Sequence, residues 1–338
     1  MFAGLLEGGS LDRAAACALM QRVMAGEVSP VQLAAVLMVL RTRGETVDEL
    51  TGFAEAMRAA AVTVPAGRDG LVDTCGTGGD GSGTFNISTA TALVAAAMGI
   101  PVAKHGNRAV SSRCGSADVL EELGVALVAD PDRVGAMIRD VGIGFMFAPV
   151  LHPAMKHAMP VRRELGVRTA FNLLGPLTNP AGARRQLLGV YDPALCAPLA
   201  RVLGNLGSEH AFVVHGAGGL DEVSPCGETL VAELRDGEVT TFTFSPEQAG
   251  IERCRLAELA GGSSADNAGI ILEILAGRGG PPADAVALNA GFAAVASGQV
   301  ASVKDGVGLA REVLDDGRAA ALLARLVESS RAAAREES

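Results

Sequence analysis

The sequence lacks a surplus of positive charge. Asp and Glu outnumber Lys and Arg by 38 to 28, for a net charge of −10. Sequence-independent nucleic-acid binding needs a basic surface, so a nucleic-acid partner is not expected. Any phosphate site must then be positive only locally. CxxC pairs are also lacking: Cys17, Cys75, Cys114, Cys196, Cys226 and Cys254 are scattered. That pattern is neither a disulfide framework nor a zinc site, and it suits a reducing cytoplasm. There is no apolar run of about 18 residues free of polar breaks and no basic-then-apolar opening segment. A soluble cytoplasmic protein without a membrane partner is the expectation. No internal repeat is evident. What remains is 338 residues, 49% of them apolar, enough for one large domain or two unequal ones around a sizeable core.

The informative stretch is Asp73 to Thr89, DTCGTGGDGSGTFNIST. A short apolar approach, Gly70-Leu71-Val72, reads as a buried strand. Gly76, Gly78, Gly79, Gly81 and Gly83 then crowd into eight positions. Asn86 and Ser88-Thr89 open an Ala-rich run with helical composition. A strand, a glycine loop and a helix start form an anion cradle, because glycine lets backbone N–H groups approach and the helix start leaves N–H donors unpaired. The loop has no Gly-Lys-Ser/Thr ending and no dinucleotide-fingerprint spacing. Cys75 within it reads as a small packed residue.

Taken in order, residues 10 to 62 read as three helices. Ser10 is expected to cap the first, which runs through Ala25. Ser29-Pro30-Val31-Gln32 and Thr46-Val47-Asp48-Glu49 are capping boxes for the next two. The stripes Leu33, Val36, Leu37, Leu40 and Leu50, Phe53, Ala54, Met57 must pack on a later segment or a second subunit. From Leu71 the texture becomes strand–helix alternation. Strands are expected at Leu71–Thr74, Val102–His105, Val125–Val128, Ile143–Phe147, Gln186–Val190 and Ala211–His215. Helices are expected at Ser88–Met98, Ser116–Leu123, Pro131–Val141 and Pro193–Leu206. This is the pattern of a mainly parallel sheet covered by helices. Prolines 153, 160, 176 and 180 mark a broken helical excursion between residues 151 and 184. Asp236-Gly237 signals a hairpin between Thr229–Leu234 and Glu238–Phe244. The remainder reads as helices at Ser264–Ala276, Ala283–Ala296, Val303–Leu314 and Arg318–Val327, with a frayed end from Ser329.

Three further constellations carry chemistry. Lys104-His105-Gly106-Asn107-Arg108 follows an expected strand, so it lies at the carboxyl edge where open α/β sheets bind ligands. Ser111, Ser112, Gly115 and Ser116 offer hydroxyls and N–H groups for a second anion. His152 and Arg162 sit in the excursion, where a guanidinium could grip a carboxylate. By sequence alone Arg162, Arg163 and Arg168 are indistinguishable. Asp221-Glu222 follows Gly218-Gly219 at a strand's carboxyl end and could hold magnesium, which takes oxygen ligands and keeps waters for substrate phosphates. Neighbours on extended backbone point apart, so the two acids are expected to reach different oxygens.

GEVSPVQLAAVLMVLRTRGET, the glycine loop, KHGNRAVSSRCGSADVLEELG, RTAFNLLGPLTNPAGARRQLLGV, the Asp-Glu pair and the late LNAG together resemble the anthranilate phosphoribosyltransferases. The resemblance covers almost the whole chain. It implies an α/β protein of the nucleoside phosphorylase/phosphoribosyltransferase type. A small N-terminal helical domain, 1–68 with a returning segment near 157–184, would join a larger α/β domain, 69–156 and 185–338. It implies transfer of the phosphoribosyl group of phosphoribosyl pyrophosphate to anthranilate, with release of pyrophosphate, in tryptophan biosynthesis. Carried over residue by residue, the donor site is Gly76, Thr77, Gly79, Asp80, Thr84, Asn86, Ser88, Thr89, Lys104, His105, Gly106, Asn107 and Ser116. Gly79, Asp80 and Lys104 would stabilise charge. The anthranilate site is Gly76, Asn107, His152, Arg162, Gly175 and Pro176, and Mg2+ is held by Ser88, Asp221 and Glu222. A homodimer through the N-terminal helices is implied as well. Two other readings stand beside this one. A pyrimidine nucleoside phosphorylase would need neither the His152/Arg162 pocket nor the acid pair. A non-catalytic nucleic-acid-binding relative fits poorly with the acidic balance.

Overall fold

The computed structural model describes residues 4, 5, 7–109 and 113–337. Three helices come first: α1 (Arg13–Met24), α2 (Pro30–Arg43) and α3 (Val47–Ala60). Both expected capping boxes form. Ser29 with Gln32 and Thr46 with Glu49 exchange side-chain and backbone hydrogen bonds, and Pro30 opens α2. The first cap differs: Asp12, not Ser10, accepts from the Ala15 N–H at 2.8 Å. A carboxylate two residues later starts the helix two residues later.

The alternating part runs β1 (Val72–Gly76), α4 (Ile87–Ala97), β2 (Val102–Gly106), α5 (Ser116–Glu122), α6 (Pro131–Asp140) and β3 (Ile143–Phe147). The excursion holds short helices α7 (Ala148–Leu151), α8 (Met159–Leu165) and α9 (Ala170–Leu174). Then come β4 (Arg185–Gly189), α10 (Cys196–Asn205), β5 (His210–Gly216), β6 (Thr229–Arg235) and β7 (Glu238–Phe244). Four helices close the chain: α11 (Ser264–Leu275), α12 (Pro281–Ser297), α13 (Val303–Asp315) and α14 (Arg318–Glu336). The strands form one seven-stranded sheet in the order β3-β2-β1-β4-β5-β6-β7. Neighbours from β3 to β5 run parallel, and β6 and β7 are antiparallel additions. The β6–β7 hairpin turns at Asp236-Gly237, both with positive φ, as a type I′ turn requires.

Two expectations fail at one place. Val125–Val128 joins no ladder, and from Ser329 the chain stays helical through Glu336. The Ala126 N–H donates to the Ser330 hydroxyl at 3.0 Å, and the N–H groups of Ala129 and Asp130 donate to the Glu337 carboxylate. Side chains from the end of the chain thus take the donors a strand neighbour would have taken. Arg331 bonds the Gly124 carbonyl in return.

Side-chain alternation along the strands divides the core in two. Leu187, Phe212 and Val214 face a core built with α4, α12, α13 and α14. Leu188, Ala211 and Val213 face the other, which contains α1–α3, α10 and the excursion residues Ala158, Val161, Phe171 and Leu174. The stripe Leu33, Val36, Leu37, Leu40 is buried here, at 4%, 4%, 2% and 1% exposure. Its partners are this chain's own α1, α3 and excursion, not a second subunit.

Candidate functional site

The chain adds β2 and β3 on one side of β1 and then returns to lay β4 on the other. The carboxyl ends of β1 and β4 therefore form a topological switch point, where open parallel sheets leave a crevice. β1, β2, β4 and β5 each end in glycine: Gly76, Gly106, Gly189 and Gly216. A methyl at Gly76 would overlap the Asp221 carboxylate, one at Gly189 the Asp221 backbone, and one at Gly216 the backbone of Glu222. The absence of side chains at three strand ends lets the Asp221-Glu222 loop lie across the sheet edge.

The glycine loop meets that loop directly. The Gly78 N–H donates to Asp221 Oδ2 at 2.7 Å, and the Ser88 N–H, in the first turn of α4, donates to Glu222 Oε1 at 3.0 Å. The two acids reach different donors, as expected of adjacent residues on extended backbone. The Asp221 N–H in turn faces Asp80 Oδ2 at 3.4 Å, while Asp80 also accepts from the Ser82 N–H and hydroxyl. Gly78, Gly79, Gly81 and Gly83 all have φ near +70°, between 68° and 76°, a conformation that side chains disfavour. Thr77 is tied to β4 by its N–H to the Gly189 carbonyl, 2.9 Å. Thr84 bridges to Ala260, and the Asn86 amide bonds the Cys114 carbonyl while its oxygen accepts from Asn267. Thr89 is 1% exposed, and its buried hydroxyl has no hydrogen-bond partner among the described residues.

Beneath the loop, Lys104 is 2% exposed and donates to the Thr74 carbonyl at 2.7 Å. Burial pulls its ammonium below the usual range, against the attraction of Asp73 and Glu222. Asp73, which the sequence did not single out, is fully buried. It accepts from the Asn179 amide at 2.8 Å and the His105 N–H at 3.3 Å, and burial lifts its carboxyl to about 6. Burial also raises both Asp221 and Glu222 above the carboxylate range. Asp80 adds to the shift at Asp221, and Asp221 adds to it at Glu222. Cys75 lies against Gln186, its thiol raised by burial: a packed residue, not a nucleophile.

Buried, mutually crowded carboxyls pushed up in this way are what a cation site looks like before the cation arrives. Among the described residues no three His, Cys, Asp or Glu side chains could close on a metal ion by themselves. Two carboxylates and a serine, with open positions left for water and phosphate oxygens, fit magnesium and do not fit a caged transition metal.

The neighbouring loop after β2 is compact. The Ser116 hydroxyl donates to the Asn107 carbonyl at 3.2 Å, and a methyl at Gly106 would overlap that hydroxyl. Arg108 is paired with Asp118 and Glu121, so it is engaged within the loop. Ser111 and Ser112 lie outside the described residues. On the far side, the His105 and His152 rings stand 5.0 Å apart, and His105 also bonds the Gly175 backbone. Pro176 is buried, its carbonyl taken by the Gln186 amide at 2.8 Å. The three arginines that the sequence leaves equivalent separate cleanly. Arg163 is exposed. Arg162 is half-buried over the Phe171 ring, 5.3 Å to its centroid, with no carboxylate partner among the described residues and its guanidinium pulled down by burial. Arg168 sits over Tyr191 beside the glycine loop. Asp73, Asn179 and Tyr191 were missed because nothing local in the sequence marks them, and Arg168 stood level there with Arg162 and Arg163.

Known proteins share both the architecture and the sequence. Residues 2–61 match the model of the helical bundle domain of a glycosyl transferase family, and residues 68–320 match that of its a/b domain. An anthranilate phosphoribosyltransferase of Moorella thermoacetica is 52% identical over 323 residues, 96% of this chain and 95% of that protein. The crystal structure of the Thermus thermophilus anthranilate phosphoribosyltransferase superposes with a TM-score of 0.93 at 51% identity, covering 98% of this chain and 99% of that one. The Saccharomyces cerevisiae anthranilate phosphoribosyltransferase, solved in complex with phosphoribosyl pyrophosphate and magnesium, gives 0.89 at 28% identity, with 98% and 97% covered.

Proposed function

The chain belongs to the anthranilate phosphoribosyltransferase family, and from that premise we propose which of its residues serve the transfer. The reaction joins the amine of anthranilate to C1 of phosphoribosyl pyrophosphate and releases pyrophosphate, within tryptophan biosynthesis. An aromatic amine is neutral near pH 7, so attack needs no strong general base. The protein's contribution is then positioning and stabilisation of the leaving group.

The donor lies over the glycine loop, with Gly76, Thr77, Gly79 and Asp80 beneath its pyrophosphate. The first turn of α4, from Asn86 to Thr89, and the loop from Lys104 to Asn107 with Ser116 complete that site. Anthranilate lies between Gly76, Asn107, His152, Gly175 and Pro176, its carboxylate against Arg162. Magnesium, the cofactor, supplies charge neutralisation of the pyrophosphate when held by Ser88, Asp221 and Glu222. Lys104 compensates the buried acids under the loop and so holds its shape. The observation that carries this reading is the meeting of Asp221 with the Gly78 N–H, and of Glu222 with the Ser88 N–H, at the switch point. Carboxylates now occupy donors aimed at an anion, and a bound metal would release those donors to phosphate.

The test is loss of anthranilate fluorescence on adding phosphoribosyl pyrophosphate and magnesium. The double variant Asp221→Asn/Glu222→Gln keeps shape and removes charge. Its turnover should fall by about 100-fold or more, its magnesium requirement should rise, and its unfolding midpoint should hold or increase. Normal turnover at low magnesium would make these acids bystanders. Assembly as a homodimer through the N-terminal helices and a cytoplasmic location belong to the same reading. An outward apolar face of α2 supports the first. Six free cysteines, and no helix among the described residues long and apolar enough to cross a membrane, support the second.

A further inference from the structure

Arg168 follows α8 and precedes α9, on the excursion, yet its guanidinium lies at the glycine loop. Its Cζ is 4.0 Å from the centroid of the Tyr191 ring. A methyl built on Gly79 would stand 2.7 Å from one of its terminal nitrogens. Tyr191 follows β4 and is tied to the same loop, its N–H donating to the Thr77 hydroxyl at 3.3 Å. The glycine loop is therefore flanked, at Gly79 and Thr77, by a further wall, and that wall presents a cation.

The charge on that wall is uncommitted. Arg168 is half-buried, and among the described residues it makes no ion pair and no hydrogen bond. Two other cations of the proposed site are engaged: Lys104 with the Thr74 carbonyl, and Arg108 with Asp118 and Glu121, while Arg162 faces the acceptor pocket. A guanidinium stays protonated at any ordinary pH. Stacking on an aromatic face holds it in place without using its N–H groups, so the planar fork remains free for two oxygens. A half-buried cation left unpaired inside an acidic protein is unfavourable unless an anion comes to it. The anion this crevice receives, on the reading above, is pyrophosphate.

We propose that Arg168, from its place against Gly79 of the glycine loop, grips the pyrophosphate end of the donor and is a leaving-group residue of the transfer. As the C1–O bond breaks, its electron pair passes to the pyrophosphate oxygen. The amine lone pair forms the C1–N bond, and the amine proton is lost to solvent. Arg168 gives up no proton; it neutralises charge on the departing oxygens. Because it sits on the chain segment that also carries Arg162, it couples the donor loop to the acceptor pocket.

This proposal rests on the donor-site assignment, and the experiment separates the two. Wild-type protein is titrated with pyrophosphate and magnesium by calorimetry, and Michaelis constants for both substrates are read from anthranilate fluorescence. Arg168→Gln should weaken pyrophosphate and raise the Michaelis constant of phosphoribosyl pyrophosphate by about tenfold or more, with that of anthranilate within about twofold of wild type. Arg168→Lys should recover part of the loss, and Tyr191→Leu, which removes the seat and keeps the charge, should lose part. Should Arg168→Gln fail to fold, Arg168→Met, which preserves the stem, carries the same measurement. Unchanged pyrophosphate affinity, or an equal rise in both Michaelis constants, would overturn the role and leave Arg168 as packing between segments. Wild-type protein that binds no pyrophosphate would instead refute the donor site itself.

Discussion

His105 and His152 lean together between the sheet edge and the acceptor segment, and each keeps Nε2 shielded with no partner among the described residues. Burial drives both imidazoles toward the neutral form. The His152 ring is pulled down to about 4, and His105 to about 3, with the neighbouring ring adding to the effect there. An unfolded histidine protonates near 6.5. Below that pH the unfolded chain takes up protons that the folded chain refuses. The stability these neutral rings allow is complete above about pH 6.5 and is lost as pH falls toward 4. His152, at 7% exposure, should contribute about 1.4 kcal/mol per pH unit across that window. The variant His152→Gln carries an amide that takes up no proton in either state. In urea titrations between about pH 6.5 and 5, it should flatten the pH slope of unfolding free energy by about that amount. An unchanged slope would mean that the ring titrates freely in the fold. On the acceptor site proposed above, neutral rings would give the aromatic acceptor an uncharged wall and leave its carboxylate to Arg162.

Elements hold the acid loop as firmly as single residues use it. Asn289 of α12 is fully buried and ties that loop to its own helix: Oδ1 accepts from the Val223 N–H, and Nδ2 donates to the carbonyls of Val223 and, one turn back in α12, Ala285, each at 2.9 Å. Asn289→Leu keeps the volume and strands both backbone groups of Val223, a loss of about 3 kcal/mol. Since Val223 follows Glu222 directly, the magnesium requirement should rise as well, while the anthranilate Michaelis constant moves little. Wild-type stability together with an unshifted magnesium titration would contradict that. The LNAG run was visible in the sequence, but its partner lies 66 residues away, and only the fold reveals it. The same division runs through the chain. Capping boxes at Ser29 and Thr46, the Asp236-Gly237 hairpin and the glycine loop were legible because each signal is complete within a few contiguous residues. Val125–Val128 was misread because its apolar pattern is strand-like, while the partner of its Ala126 N–H, Ser330, and that of the following Ala129 and Asp130, Glu337, come from the end of the chain. Arg168 could not be told from Arg162 and Arg163 until Tyr191 gave it a seat.

At the scale of the whole molecule, α2 is apolar on two sides. Its inner stripe, Leu33, Val36, Leu37 and Leu40, is used within the chain. Its outer face carries Val31, Ala35 and Met38, spaced i, i+4, i+7 along one side, with Val31 at 80% exposure and Ala35 exposed. A helix that is apolar on both sides needs two covers, and the rest of this chain supplies only one. An isologous pairing of two such outer faces about a twofold axis would supply the second. The two faces make opposite predictions for the same kind of substitution. Val31→Asp should leave folding intact and convert a sedimenting dimer to monomers. Leu37→Asp, at a position 2% exposed, should unfold the helical core instead, by several kcal/mol. The glycine loop, the acid pair, Arg162 and Arg168 all come from one chain, so the Val31→Asp monomer should still turn over. Sedimentation velocity at micromolar protein decides the matter: a monomeric wild type, or a dimeric Val31→Asp, removes this face from the assembly.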